Sequence, residues 1–135
     1  MNVALFIVTH EGIANNLLRT ALSIINDQPE NINCFEIPMD APVETIKHNI
    51  QNRIEQLDKN KEILFLTDIY GGTPSNIASS FINDEKIRLI SGLNLAMIIK
   101  AINYRDLPLN ELVEKIIEGG RQSIMQRDNE NPICK

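Results

Sequence analysis

His10 and Asp68 each stand where an apolar run gives out, and Thr73 follows shortly after: "ALFIVTH" ends on the histidine, "LFLTD" ends on the aspartate, and "GGTPS" begins three positions after that aspartate. If the two runs are neighbouring strands, the imidazole and the carboxylate can meet. A carboxylate accepting from one imidazole nitrogen fixes the tautomer and leaves the other nitrogen's lone pair free to attack. A largely neutral imidazole at cell pH suits reception of a phosphoryl group. Gly71 and Gly72 permit close backbone approach, Thr73 is read as a helix cap, and Pro74 fits a first helical turn. Donors at that helix start, the Thr73 hydroxyl and the nearby Thr9 hydroxyl would then face phosphoryl oxygens.

Taken singly, each residue has a plainer use. A histidine closing a strand often just satisfies a loop, an aspartate before a glycine pair often caps a turn, and "GGTP" is ordinary turn punctuation. His48 falls on the polar side of a helical stripe, and Glu11 suits a helix start. Only the conjunction of His10, Asp68 and Thr73 at strand ends on one sheet edge argues for chemistry.

Other chemistries find little support. Two distant histidines and two separated cysteines, Cys34 and Cys134, offer no metal-ligand spacing, so no metal is expected. Neither GxxxxGK[ST] nor a GxGxxG after a strand occurs, and "TPSNI" around Ser75 is not GxSxG. No cofactor is expected.

These residues need a scaffold that gathers strand ends. "VALFIV" at 3–8, "EILFLT" at 62–67 and "IRLIS" at 87–91 are continuous apolar runs, the pattern of parallel strands covered on both faces. "INCFEI" at 32–37 is more mixed and is placed nearer an edge. Between them run helical stripes: Ile13, Leu17, Ala21 and Ile24, ending near Asp27 and Pro29; then Val43, Ile46, Ile50, Ile54 and Leu57. A short helix after "GGTP" carries Ile77, Ala78 and Phe81. Helices at 93–105 and 109–120 follow, the last stopping or kinking at Gly119 and Gly120. The alternation predicts one α/β domain over 1–135, a three-layer domain with a mostly parallel sheet flanked by helices on both faces. The tail from about 121 is polar; it is read as irregular, as an added strand, or as a segment docked on a second subunit.

The 135 residues, 43% hydrophobic, can build one ordinary core, and the net charge of −5 is scattered, which argues against nucleic-acid or anionic-membrane partners. "MNVALFIV" is too short for a span and lacks a basic start, and the cysteines suggest no disulfide framework. A cytoplasmic setting is expected.

On these residues the chain resembles the IIA domain of the mannose-type family (mannose, fructose and sorbose type) of the bacterial phosphoenolpyruvate-dependent sugar phosphotransferase system (PTS). "ALFIVTH" matches the family's first strand and histidine, "LFLTDIYGGTPSN" resembles "LFLVDxxGGSPxN", and "LISGLNLAMII" resembles "VxxGxNxPMLxE". Many members read "THG" where this chain has "THEG", and Ala96 stands where a proline is frequent. The resemblance implies a phosphoryl carrier with His10 as phosphohistidine, Asp68 as its carboxylate partner, and Thr73 in the place of the family's phosphate-binding serine or threonine, beside Gly72. It implies the phosphocarrier HPr as donor, a IIB domain or subunit as acceptor, and a homodimer that exchanges a strand near the C-terminus. Contact with a membrane permease would run only through partners. Two other readings stay open: a stand-alone regulatory IIA protein of an incomplete phosphotransferase chain, and a receiver-like module phosphorylated on Asp68.

Overall fold

A computed structural model describes residues 3–129. The elements follow in the order β1 (Ala4–His10), α1 (Ala14–Ile25), β2 (Ile32–Ile37), α2 (Val43–Glu55), β3 (Ile63–Thr67), α3 (Thr73–Ser79), β4 (Ile87–Ser91), α4 (Leu95–Asn103) and α5 (Leu109–Gln122). The four strands form one parallel sheet in the order β2-β1-β3-β4. Strand polarity therefore sends every strand's carboxyl end, and every loop after it, to one edge of the sheet.

Pleating divides the core. Leu5 and Ile7 of β1 with Leu64 and Leu66 of β3 face α1, α4 and α5, where Ala21, Ile98, Leu112 and Ile116 meet them. Ala4, Phe6 and Val8 with Phe65 face α2 and α3, against Ile50, Ile77 and Ala78. Both faces of β1 and β3 are thus covered, which is why those runs are apolar throughout and do not alternate. The same alternation carried two residues further puts Thr9 on the α1 side and His10 on the α3 side.

Three local differences separate this fold from the sequence reading. The buried stripe of α1 runs through Ala14, Leu17, Leu18, Ala21, Leu22 and Ile25, whereas Ile24 is exposed. A 3.6-residue period anchored on the two small alanines, which let the helix lie close to the sheet, rotates the stripe away from Ile24. β4 reads as a covered strand but lies at an edge of the sheet, its pattern broken by half-exposed Arg88 and Leu89. β2, the more mixed run, is the opposite edge, as its composition suggests.

Gly119 and Gly120 do not end α5, which continues to Gln122. They are buried packing positions: a Cβ on Gly119 would lie 2.6 Å from Lys100 Cγ, and one on Gly120 2.6 Å from Met97 Cγ. Their missing side chains let α4 and α5 approach. Residues 124–129 contain no strand, and 130–135, with Cys134, lie outside the described residues. The expected exchanged strand falls on this tail, part of which lies outside the described residues.

Candidate functional site

The pairing of β1 with β3 brings Val8 beside Thr67, so the next residues of each strand, toward His10 and Asp68, emerge side by side at the carboxyl edge. His10 Nδ1 lies 2.8 Å from Asp68 Oδ2, and the His10 main-chain N–H donates to the same oxygen at 3.0 Å. Asp68 Oδ1 accepts from the Ile69 N–H at 3.0 Å. Burial pushes the Asp68 carboxyl up, but the hydrogen bonds from the His10 ring, from its backbone and from a loop amide outweigh that and hold its pKa below the ordinary carboxylate value. Asp68 is therefore ionised at neutral pH.

An ionised carboxylate can only accept, so Nδ1 is the protonated nitrogen and the neutral ring carries its lone pair on Nε2. The imidazole is 38% exposed and the aspartate side chain 12%. The anchored nitrogen points inward and the ring remains open to a partner.

Gly72 lies against the ring. A Cβ there would sit 3.1 Å from His10 Cε1, 3.7 Å from Nε2 and 3.3 Å from Ile69 Cγ2. Gly71 before it has φ +87°, a left-handed conformation that glycine adopts without strain. Gly72, not Thr73, is the cap residue of α3, with no side-chain cap bond. Thr73 is the first helical residue and is exposed, with Pro74 buried behind it and the first intrahelical bond running from the Asn76 N–H to the Gly72 carbonyl at 2.9 Å. Its hydroxyl is not spent on capping.

Thr9 does not join this group. It is fully buried, its hydroxyl donates to the His10 carbonyl at 2.8 Å, and it accepts from the Ala14 N–H at 3.0 Å. The pleat that turns His10 toward α3 turns Thr9 toward α1, which corrects the expectation of a second hydroxyl beside the ring.

Glu36 is a residue that the sequence reading passed over. It pairs in register with Thr9, and its two oxygens accept from the Gly12 N–H at 3.0 Å and the Asn15 N–H at 2.9 Å. These two backbone bonds hold its pKa below the ordinary value. The available signal was parity: Cys34 of β2 packs on the α1 side, so Glu36 must emerge on that side at the carboxyl end. His48 is exposed on α2, in keeping with the polar side of its stripe. Among the described residues, no group of three or more His, Cys, Asp or Glu side chains could hold a metal ion. No helix among them is long and apolar enough to cross a membrane.

Comparison with known proteins agrees with this architecture. Residues 4–117 match the family model described as "PTS system fructose IIA component". The chain is 33% identical over 127 residues to the PTS system mannose-specific EIIAB component of Escherichia coli (strain K12), covering 92% of this chain and 39% of that protein. It therefore spans about two fifths of that relative's length. It is 26% identical over 119 residues to the PTS system fructose-specific EIIA component of Bacillus subtilis (strain 168), covering 87% of this chain and 82% of that one. Among solved structures, the phosphotransferase system component EIIA from Streptococcus agalactiae superposes with a TM-score of 0.81 at 29% identity, covering 92% of this chain and 96% of that one. The mannose/sorbose-specific IIA subunit from Enterococcus faecalis gives 0.85 at 22% identity over the full length of both, a likeness of fold. The chain belongs to the mannose-type family of phosphotransferase-system IIA components.

Proposed function

We propose that the protein is a phosphoryl carrier that accepts a phosphoryl group from phospho-HPr on His10 Nε2 and passes it to a IIB component. The observation that carries this reading is the 2.8 Å contact between His10 Nδ1 and Asp68 Oδ2, which directs the ring's lone pair outward. In the forward step the Nε2–P bond forms as the donor's bond to phosphorus breaks, and that electron pair returns to the donor. The Nδ1 proton stays in its hydrogen bond, and the Asp68 carboxylate stabilises the positive charge that develops on the ring. Transfer to the acceptor reverses these changes. The Thr73 hydroxyl and the backbone at Gly72 are assigned to the equatorial oxygens, because Gly72 abuts the ring at Cε1, next to Nε2.

Exposed Ile69 and Tyr70 in the loop after β3, and exposed Met39 in the loop after β2, lie at the carboxyl edge around the histidine. Apolar side chains at that edge suit docking of a folded protein donor better than capture of a small solute. Incubation with phosphoenolpyruvate, enzyme I and HPr should yield an acid-labile, base-stable phosphoprotein that His10→Ala abolishes. Unchanged labelling of His10→Ala, or a label lost in mild base as an aspartyl phosphate would be, refutes the assignment.

A further inference from the structure

The start of α1 has no side-chain cap of its own: its cap residue, Ile13, offers no acceptor, and no acidic residue occupies its first turn. Three amides at this turn, those of Gly12, Ala14 and Asn15, are instead satisfied by two side chains from neighbouring strands. Thr9 of β1 accepts from Ala14, and the Glu36 carboxylate of β2 spans Gly12 with Oε1 and Asn15 with Oε2. Thr9 and Glu36 are register partners, so adjacent strands end in a pair of acceptors that grip the incoming helix.

The gripped segment is the direct continuation of His10. Glu11, Gly12 and Ile13 are the only residues between the end of β1 and the start of α1, and Gly12 turns there with φ +92°. A shift of that turn moves the His10 backbone, whose N–H is one of the two anchors to Asp68. The Glu36 charge also fills the place at a helix start where an anion is otherwise favoured. An incoming phosphoryl group is then left to the Gly72 side of the ring.

We propose that Glu36 is a positioning residue for phosphoryl transfer at His10, its carboxylate clamping the Gly12 and Asn15 amides so that the turn after the histidine keeps one shape. This rests on the phosphoryl-carrier reading above. Glu36 touches neither the ring nor the phosphoryl group in this scheme. It acts through the turn and by occupying the anion position.

The test is single-turnover transfer from phospho-HPr to the wild type, Glu36→Ala and Glu36→Gln, with a parallel titration of backbone amide NMR signals by inorganic phosphate. In Glu36→Ala the maximal transfer rate should fall roughly tenfold while the half-saturating donor concentration stays within about twofold, because the reacting geometry is loosened and the docking residues are untouched. Glu36→Gln keeps one acceptor oxygen and should recover about half of that loss on a logarithmic scale. The Gly12 and Asn15 amide signals should move with phosphate in Glu36→Ala and stay still in the wild type.

A maximal rate in Glu36→Ala equal to wild type, whatever happens to thermal stability, overturns the proposal. Wild-type amides that shift with phosphate as much as the variant's overturn it too. Should Glu36→Ala fail to fold, the near-isosteric Glu36→Gln decides, a rate indistinguishable from wild type being the refuting result. A wild type that takes no label on His10 would instead defeat the carrier reading itself, a result separable from a labelled wild type with an indifferent Glu36.

Discussion

Asp68 holds His10 twice through a single oxygen, by the ring Nδ1 at 2.8 Å and by the main-chain N–H at 3.0 Å. The carboxylate therefore fixes both the tautomer of the imidazole and the course of the chain that carries it. Removing its charge while keeping its shape should separate these roles. Asp68→Asn keeps one oxygen that can still accept both His10 donors, but it sets an NH2 against the Ile69 N–H and no longer offsets positive charge on the phosphorylated ring, so its rate of phosphoryl acceptance should fall by roughly a hundredfold. A thermal midpoint lowered only slightly, together with that rate loss measured by radiolabel transfer, is the expected pair of results. A rate within a factor of about three of wild type would remove Asp68 from the mechanism.

Acid should weaken the fold through two carboxylates at this edge. Asp68 and Glu36 both have folded-state pKa values below their ordinary ones. Each binds its proton more weakly folded than unfolded, so its stabilisation is complete above the ordinary carboxylate range and disappears as pH falls through that range toward the folded-state value. Thermal midpoints recorded from neutral pH downward should decline across this window. The decline should be shallower in Asp68→Asn, and parallel curves for the two proteins would contradict the argument.

The sequence made the scaffold legible because burial on both faces leaves continuous apolar strands, and "ALFIVTH" and "LFLTD" carry that mark up to the residues that matter. His10 and Asp68 could be paired from strand ends alone once β1 and β3 were neighbours, and the sheet order makes them so. Thr9 was misread because closeness along the chain is not closeness in a pleat: one residue of offset sends it to the other face. Glu36 escaped because its partners are backbone amides, which no residue type announces. Gly119 and Gly120 looked like a helix stop because their reason for being small lies on another helix, in Lys100 and Met97.

That packing gives two glycines of one helix different tolerances. A Cβ on Gly120 would lie 2.6 Å from Cγ and 3.0 Å from Sδ of Met97, a residue only 4% exposed. Met97 is buried against this glycine, so Gly120→Ala should destabilise by about 1–3 kcal/mol through overpacking, less up to about 1 kcal/mol regained from helix propensity. Gly119 meets the stem of half-exposed Lys100, which can swing toward solvent, and its alanine variant should be near neutral. Urea denaturation of both variants checks the order; equal losses would show that α4 and α5 slide apart as a unit.

Gly72→Ala probes the site without altering any polar group. Its backbone, at φ −76° and ψ 171°, accepts alanine without strain, so the only new interaction is the methyl group itself. That methyl would stand 3.1 Å from His10 Cε1 and 3.3 Å from Ile69 Cγ2, closer than comfortable contact. Ile69 and the ring are both exposed enough to yield by a few tenths of an ångström, so the fold should lose no more than about 1 kcal/mol. The displaced element is the imidazole, however, whose lone pair must lie in line with the donor's phosphorus. Transfer from phospho-HPr should slow by roughly tenfold, and the crowding should act on phosphorylated and free ring alike, slowing onward transfer as well. Stopped-flow or quenched-flow transfer in both directions reads this directly. A Gly72→Ala protein that transfers at the wild-type rate would mean that the ring's position against this loop is immaterial to the reaction, and the assignment of Gly72 and Thr73 to the phosphoryl oxygens would have to be abandoned.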